Sequence, residues 1–231
     1  MNPYQSLKEE AWEANMQLPV RGLVLYTFGN VSAVDRDRGV LAIKPSGVPY
    51  DVLKPEDMVV LDLDNRVVDG SLNPSSDTRT HSLLYRAFSE IGGVVHTHST
   101  YATAWAQAQR AIPIYGTTHA DHLAGDVPCT EIMEDAAIER DYEEETGNQI
   151  LYAFKKLNYK EVQMVLVAGH GPFTWGDSAA KAVYNAVVLE ELARMACLTE
   201  RINPDANRLK QSLIDKHYDR KHGKNATYGQ K

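Results

Sequence analysis

The sequence predicts a single α/β or α+β domain built around a layered β-sheet. Its 231 residues fit one large domain or two small ones, at roughly 150 residues per domain. Short β-rich segments and longer segments of helical periodicity are intermixed along the chain, and no internal repeat, low-complexity tract or linker separates them. This intermixing favours one domain over two.

Four segments have the apolar spacing of helices. Residues 4–18 place four apolar side chains on one face before Pro19 ends the pattern: Leu7, Ala11, Ala14 and Leu18. Further helices are predicted at Thr78–Ile91, Ala102–Gln109 and Asp177–Ile202. The last of these is the longest, and Asp177 or Ser178 is suited to cap its first turn.

Four short apolar runs are bounded by Gly, Pro or polar residues, as buried strands usually are. They predict strands at Val40–Ile43, Met58–Leu63, Val94–His98 and Gln163–Ala168.

Composition excludes several classes of protein. The net charge of −7 and a pI of about 5.6 argue against a general nucleic-acid binder, although a few local donors can still bind a small anion. No apolar run approaches the ~20 residues that span a bilayer, and the N-terminus lacks the pattern of a secretory signal. We therefore expect a cytoplasmic protein in which Cys129 and Cys197 are reduced thiols.

The segment Val94–His98 carries the strongest chemical signal. Side chains alternate along a strand, so His96 and His98 would share one face and could bind one metal ion. His170, between two glycines after another apolar run, and Asp77, just before a predicted helix, are further candidate ligands. A turn histidine and a helix N-cap are the plainer interpretations of these two residues.

Three short segments are suited to an anion: residues 29–32, 44–47 and 75–76. Each combines small hydroxyl or amide donors with turn-forming backbone, and Lys44 adds an ammonium group. Each segment alone is typical of an ordinary turn, so only their convergence would indicate a phosphate site.

A third group of residues could carry protons. Asp121 lies in a polar stretch between two structural segments, where it could be an acid/base or a plain loop residue. The C-terminal stretch is basic and contains His217 and Tyr228, but most such termini are solvated. Spacing alone does not choose between these interpretations.

Six ordered motifs resemble the class II aldolase/adducin head superfamily: TFGNVS at 27–32, IKPSGV at 43–48, PSSDT at 74–78, HTHS at 96–99, GTTHAD at 116–121 and HGPF at 170–173. The likeness runs from about residue 7 to the C-terminus. Asp77, where the aldolases of the family usually carry Glu, and the terminal stretch from Lys216 to Tyr228 resemble the epimerase branch. Ala168-Gly169 departs from the bulkier or polar residues that precede the histidine in relatives.

The resemblance implies a three-layer α/β/α domain over residues 1–231, with a central, mostly antiparallel sheet flanked by helices. It also implies a C-terminal arm, about residues 215–231, that contributes to the active site. A homotetramer with sites at the subunit boundaries is expected, without nucleic-acid or membrane partners.

The resemblance also implies roles for individual residues. A divalent ion, zinc ahead of manganese or cobalt, would be bound by Asp77, His96, His98 and His170. The substrate phosphate would be bound by Asn30, Lys44, Ser46, Gly47, Ser75 and Ser76. Sugar hydroxyls would contact Thr117 and Glu143. Proton transfer would fall to Asp121 on one face and to Tyr228 of a neighbouring subunit on the other, with His217 nearby.

The activity implied by the resemblance is epimerisation at carbon 4 of a ketopentose phosphate. That carbon has no acidic proton, so cleavage and re-formation of the bond between carbons 3 and 4 is the feasible route. A sugar-phosphate aldolase of the L-fuculose-phosphate type and a non-catalytic interaction domain remain as alternatives. The reaction serves both arabinose and ascorbate breakdown, so the pathway stays open.

Overall fold

The computed structural model describes residues 2–223 and 226. In this part of the chain the strands are β1 (Asn30–Asp35), β2 (Val40–Ile43), β3 (Val59–Asp62), β4 (Val67–Asp69), β5 (Gly93–His96), β6 (Met164–Leu166) and β7 (Pro172–Gly176). The α-helices are α1 (Gln5–Val20), α2 (Thr78–Ala87), α3 (Thr100–Gln107), α4 (Thr117–Ala120), α5 (Asp135–Ala153), α6 (Ala179–Ile202) and α7 (Gln211–His222). None of the helices within these residues is both long and apolar enough to cross a bilayer.

All seven strands form one sheet in the order β4-β3-β2-β1-β5-β7-β6, and each neighbouring pair is antiparallel. The pairing of β1 with β5 sets Asn30 opposite His96. Two residues that are 66 positions apart in sequence are thereby neighbours at one end of the sheet.

Helices α1 and α6 cover one face of the sheet. Their small and apolar side chains pack on alternate strand residues, among them Val31, Ala33, Val40 and Ala42. Helices α2 and α5 cover the opposite face, where Leu41 and the other alternate residues of the same strands point. The expected three-layer α/β/α arrangement with an antiparallel central sheet is therefore confirmed.

Most predicted elements are present, with shifted ends. The strand at Val40–Ile43 is confirmed, and Ser178 caps α6 through a bond from the Lys181 backbone N–H. Helix α1 continues through Pro19 and ends at Val20, one residue beyond the predicted stop. Proline cannot bond to the carbonyl four residues earlier and its ring crowds that carbonyl, so the helix ends one residue after Pro19.

Sequence patterns missed six elements: β1, β4, β7, α4, α5 and α7. We expected a turn around residues 29–32, but Asn30 begins a central strand that is paired on both sides. Strand β5 ends at His96, so His98 lies in the following loop and not on the strand. Cys129 and Cys197 are free thiols, as expected.

Candidate active site

A cavity of about 560 Å³ opens at the end of the sheet where β1 begins and β5 ends. Its walls come from the start of β1, the loops at 44–47 and 75–77, the histidines that follow β5 and β6, and residues 142–143 of α5. Every residue that the resemblance assigns to the metal or to the phosphate lines this cavity: Asn30, Lys44, Ser46, Gly47, Ser75, Ser76, Asp77, His96, His98 and His170.

Three imidazoles, those of His96, His98 and His170, form the histidine cluster. Each offers a ring nitrogen, and these nitrogens all lie within 4.8 Å of one another. The Nε2 atoms of His96 and His98 are 3.1 Å apart, and nitrogens that share one zinc ion at ~2.0–2.1 Å each are separated by about that distance. The cluster therefore fits a divalent ion that accepts imidazole.

Two of these rings are oriented by partners on their outer side. His96 is buried, its Nδ1 lies 3.0 Å from the carbonyl of Pro172, and Phe173 stacks on the ring at 4.2 Å between centroids. His170 places its Nδ1 3.1 Å from the Tyr142 hydroxyl. A partner on Nδ1 leaves Nε2 as the nitrogen that faces a metal.

Two histidines of the cluster, His98 and His170, are favoured in the neutral form that a metal ligand requires. Burial lowers the pKa of His170 to about 3, and the neighbouring His96 and His98 act in the same direction. Burial and His96 also lower the pKa of His98.

Asp77 lies beside the cluster as the N-cap residue of α2, but its side chain makes no capping bond to that helix. Instead its Oδ2 accepts hydrogen bonds from Asn30 Nδ2 at 2.6 Å and from Ser75 Oγ at 3.4 Å. Burial acts to raise the pKa of Asp77, but His96, His81 and the Asn30 bond outweigh it and hold that pKa below its usual value. The side chains close enough together to share one ion are the three histidines, and Asp77 is not in that group. The role of Asp77 as a fourth ligand stays a prediction.

Lys44 is the cationic group on the wall of the cavity. The residue is only 1% exposed, and burial lowers its pKa to about 8. Its ammonium contacts the Pro45 carbonyl at 3.4 Å and lies 4.9 Å from the ring centre of Tyr50. No carboxylate among the described residues forms a salt bridge with it. A buried ammonium group with such weak partners is suited to bind an anion.

The two loops beside Lys44 are joined by backbone hydrogen bonds. The Ser46 N–H donates to the Asn73 backbone carbonyl at 2.9 Å, and the Ser75 N–H donates to the Lys44 backbone carbonyl at 3.1 Å. Gly47 has φ of +70°, a conformation that favours glycine and turns the chain at the rim of the cavity. The three segments that sequence alone could not separate from ordinary turns thus meet in one place.

Residues 142–143 reach the cavity because α5 is kinked. Asp141 has non-helical φ and ψ of −168° and 92°, and its Oδ1 accepts a bond from Glu144 N–H, as an N-cap residue does. Helix α5 therefore restarts at Tyr142, and Glu143, predicted to contact sugar hydroxyls, lines the cavity beside it. Sequence reasoning missed Tyr142; the one available signal was the Asp-x-x-Glu capping pattern at 141–144.

The remaining predicted residues lie elsewhere in this chain. Thr117, Asp121 and His217 do not line the cavity; they belong to a surface where α4 packs against α7. We call Asp121 and the α7 residues around it, His217, Arg220 and Lys221, the terminal corner. Tyr228 lies outside the described residues.

Asp121 is surrounded by cationic or hydrogen-bonding groups. Its carboxylate lies 2.9 Å from His217 Nδ1, accepts two bonds from Arg220 Nη2 at 2.9 Å, and is 3.6 Å from Lys221 Nζ. Partial burial acts to raise the pKa of Asp121, but the Arg220 and His217 bonds prevail and lower it to about 2. Asp121 is therefore a carboxylate at neutral pH.

Residues 9–197 match the family described as "Class II Aldolase and Adducin N-terminal domain". The chain belongs to this family.

Relatives and solved structures agree with that membership. Two proteins, from Salmonella paratyphi A (strain ATCC 9150 / SARB42) and Salmonella typhi, are 52% identical over 227 residues, which cover 98% of this chain and 100% of each relative. Both are named L-ribulose-5-phosphate 4-epimerase UlaF. A solved structure of an L-fuculose 1-phosphate aldolase is 25% identical, has a TM-score of 0.78, and matches over 93% of this chain and 95% of its own.

Proposed function

We propose that this member of the class II aldolase and adducin family is a metal-dependent L-ribulose-5-phosphate 4-epimerase, which interconverts L-ribulose 5-phosphate and D-xylulose 5-phosphate. The observation that carries the proposal is the histidine cluster beside the buried ammonium group of Lys44 in one cavity. Relatives of that name that match at 52% identity over almost the whole chain support it.

The chemistry of the substrate explains why a metal site and a phosphate site should adjoin. Carbon 4 of a ketopentose phosphate lies two carbons from the carbonyl, so its proton is not acidic. Cleavage of the bond between carbons 3 and 4 is feasible because the electron pair flows into an enediolate. Rotation of the retained aldehyde before the bond re-forms inverts carbon 4. A bound divalent ion would supply Lewis-acid stabilisation of the charge that develops.

The residues of the cavity would bind and orient the substrate. His96, His98 and His170 would bind the ion, for which we propose zinc, with Asp77 beside them. Lys44 and the Asn30, serine and glycine groups, which line the same cavity, would bind the phosphate. Glu143 would contact sugar hydroxyls, together with Thr117. With both ends of the substrate bound, the aldehyde fragment would be kept in place between cleavage and bond formation.

The proton-transfer residues would come from a second subunit. Asp121 and His217 contact each other but do not line the cavity of their own chain. In a homotetramer we therefore propose that the terminal corner of one subunit faces the cavity of the next, with Tyr228 in the same C-terminal arm. Asp121, as a carboxylate, would accept a proton on one face, and Tyr228 would act on the other. We further propose a cytoplasmic location, where phosphorylated sugars are found.

Product analysis tests the reaction. The protein loaded with zinc is incubated with L-ribulose 5-phosphate, and the product is identified by NMR. We expect D-xylulose 5-phosphate as the main product. Accumulation of glycolaldehyde phosphate and dihydroxyacetone at the main turnover rate would instead favour a class II aldolase, the alternative that the structural likeness to L-fuculose 1-phosphate aldolase supports.

Mixing inactive variants tests the shared site. His98→Asn damages the cavity and Asp121→Asn damages the terminal corner, so mixed oligomers would contain some sites with both halves intact. Random reassembly of an equal mixture should restore about a quarter of the wild-type activity. No recovery despite demonstrated subunit exchange would place Asp121 and the cavity in one subunit. A mixture of Asp121→Asn with Tyr228→Phe then shows whether these two residues come from the same subunit.

A further inference from the structure

Tyr142 contacts the histidine cluster from outside. Its hydroxyl oxygen lies 3.1 Å from Nδ1 of His170, the two rings are 5.7 Å apart at 40°, and Tyr142 also lines the cavity. Neither the family's motifs nor the predicted ligand set includes this residue. The position of its hydroxyl is that of an outer partner to a metal-binding imidazole.

The backbone around Tyr142 is built to hold it there. Asp141, at the kink of α5, accepts the Glu144 N–H and forms an ion pair with Arg79 at the start of α2. Thr80, the next residue of α2, donates its hydroxyl to the Glu143 carbonyl at 2.5 Å. The first turn of α5 after the kink is therefore bonded to the start of α2.

A further bond secures Tyr142 from within α5. Thr146 donates its hydroxyl to the Tyr142 carbonyl at 2.8 Å and is itself buried. The backbone at Tyr142 and Glu143 is thus restrained by bonds from Thr146 and Thr80. The Tyr142 side chain therefore extends to His170 from a restrained backbone.

We propose that Tyr142 is a positioning residue for His170. Its hydroxyl oxygen accepts a hydrogen bond from Nδ1–H of His170, which leaves Nε2 unprotonated and directed at the ion. The Pro172 carbonyl does the same for His96. This inference rests on the metal site of the proposed function.

The hydrogen-bond partners of His96 and His170 on the side away from the ion differ in whether a substitution can remove them. The partner of His96 is a backbone carbonyl, which substitution cannot remove, whereas the partner of His170 is a side chain on a separate helix. Movement of the kinked turn would therefore alter the third ligand while leaving the first in place. The affinity for the ion then depends on the docking of α5 against α2.

The experiment compares metal affinity in three variants of the full-length protein. Tyr142→Phe keeps the ring and removes the hydroxyl; Tyr142→Leu removes both. Tyr152→Phe is the matched control, because Tyr152 is on the same helix, is 64% exposed and does not line the cavity. Zinc affinity is measured by competition with a chromogenic chelator, and the ligand field by the visible spectrum of the Co²⁺-loaded protein.

We expect Tyr142→Phe to bind zinc about ten- to a hundred-fold more weakly than wild type, the usual cost of losing an outer partner of a metal ligand. Tyr142→Leu should lose at least as much, and Tyr152→Phe nothing. The Co²⁺ spectrum of Tyr142→Phe should shift, which a general loss of stability would not cause.

The outcomes separate the two proposals. If wild type binds zinc and Tyr142→Phe and Tyr142→Leu bind it equally well, the role of Tyr142 is overturned while the metal site stands. If wild type itself fails to bind zinc, or His98→Asn binds it as tightly as wild type, the metal site of the proposed function falls first. Circular dichroism of each variant confirms that only folded proteins are compared.

Discussion

The cavity at the end of the sheet and the terminal corner both contain charged and polar side chains. They differ in how many hydrogen-bond and ion-pair partners these side chains have. In the cavity, Lys44 has only a distant carbonyl and a ring as described partners, and Asn30 Oδ1 is buried without any hydrogen-bond partner among the described residues. In the terminal corner, Asp121 has bonds from His217 and Arg220 and a further cation at 3.6 Å.

The difference separates a surface that is ready for a ligand from one that is already paired. Buried polar groups without partners cost folding free energy, so they persist where a ligand later supplies the missing bonds. A carboxylate surrounded by cations contributes to the docking of α4 on α7 within its own chain. The cavity can thus be assigned a ligand from one subunit alone, whereas in the proposed homotetramer the terminal corner would meet a cavity only in a neighbouring subunit.

The largest effect is expected from His98→Asn. It removes one imidazole from the histidine cluster, so metal content and epimerisation should fall together, the latter at least about a hundred-fold. His98 is an exposed loop residue, and the free energy of unfolding should change by no more than about 0.5 kcal/mol. Metal analysis, NMR product formation and thermal unfolding are the measurements.

His217→Asn is the matched control for that variant. It changes a histidine of the terminal corner, so metal content should stay at the wild-type level even if activity falls. Loss of metal from His217→Asn would mean that the two regions are not separate in function. Full activity of His98→Asn with normal zinc would remove His98 from the ligand set.

A smaller effect is expected from Lys44→Met. Loss of the ammonium should raise the KM for the sugar phosphate about ten- to a hundred-fold, equivalent to the about 1.5–3 kcal/mol of a hydrogen bond to a charged group. Lys156→Met, at an exposed position, is the control and should leave KM unchanged. An unchanged KM in Lys44→Met would place the phosphate elsewhere.

The pH dependence of anion binding sharpens the same test. Burial lowers the pKa of Lys44 to about 8, so wild type should bind inorganic phosphate progressively more weakly above pH 8 as the ammonium loses its proton. The unfolded chain keeps that proton up to about pH 10.5. The free energy of unfolding of wild type should therefore rise relative to that of Lys44→Met as the pH increases from about 8 to about 10.5. Calorimetric phosphate titrations and unfolding curves at pH 7 and pH 9 measure both effects.

The smallest effect is expected for the stability of the terminal corner. Asp121→Asn should lower the free energy of unfolding by about 1–3 kcal/mol at pH 7, because the Arg220 and His217 bonds lose their charged acceptor. The pKa of Asp121 is lowered to about 2, so its contribution is complete above about pH 4 and is lost as the pH falls towards 2. The difference between wild type and variant should narrow over that range in denaturant unfolding.

Glu90→Gln provides the comparison for an exposed pair. Glu90 and Lys160 are both largely solvent-exposed, so their ion pair should contribute little to the free energy of unfolding. Equal losses in Asp121→Asn and Glu90→Gln would show that the terminal corner is no better paired than an ordinary surface.

Local pattern in the sequence was enough to predict a layered α/β domain, and the family resemblance predicted many of the residues that line the cavity. Strand Val40–Ile43 and the Ser178 cap follow from short-range apolar spacing and turn chemistry, which neighbouring residues determine. The candidate metal and phosphate residues were predicted through the ordered motifs that carry this resemblance, each of which stays within a few residues of chain.

Tertiary structure alone decided what those motifs could not. Asn30 is in a strand and not a turn because β5 supplies its paired residue, His96, which lies outside its own segment. Tyr142 reaches His170 because a kink, an N-cap and an ion pair with α2 coincide. Asp121 pairs with Arg220 of α7 and does not line the cavity of its own chain. Each result depends on contacts between residues that are distant in sequence. Local periodicity carries no information about which distant segments come together.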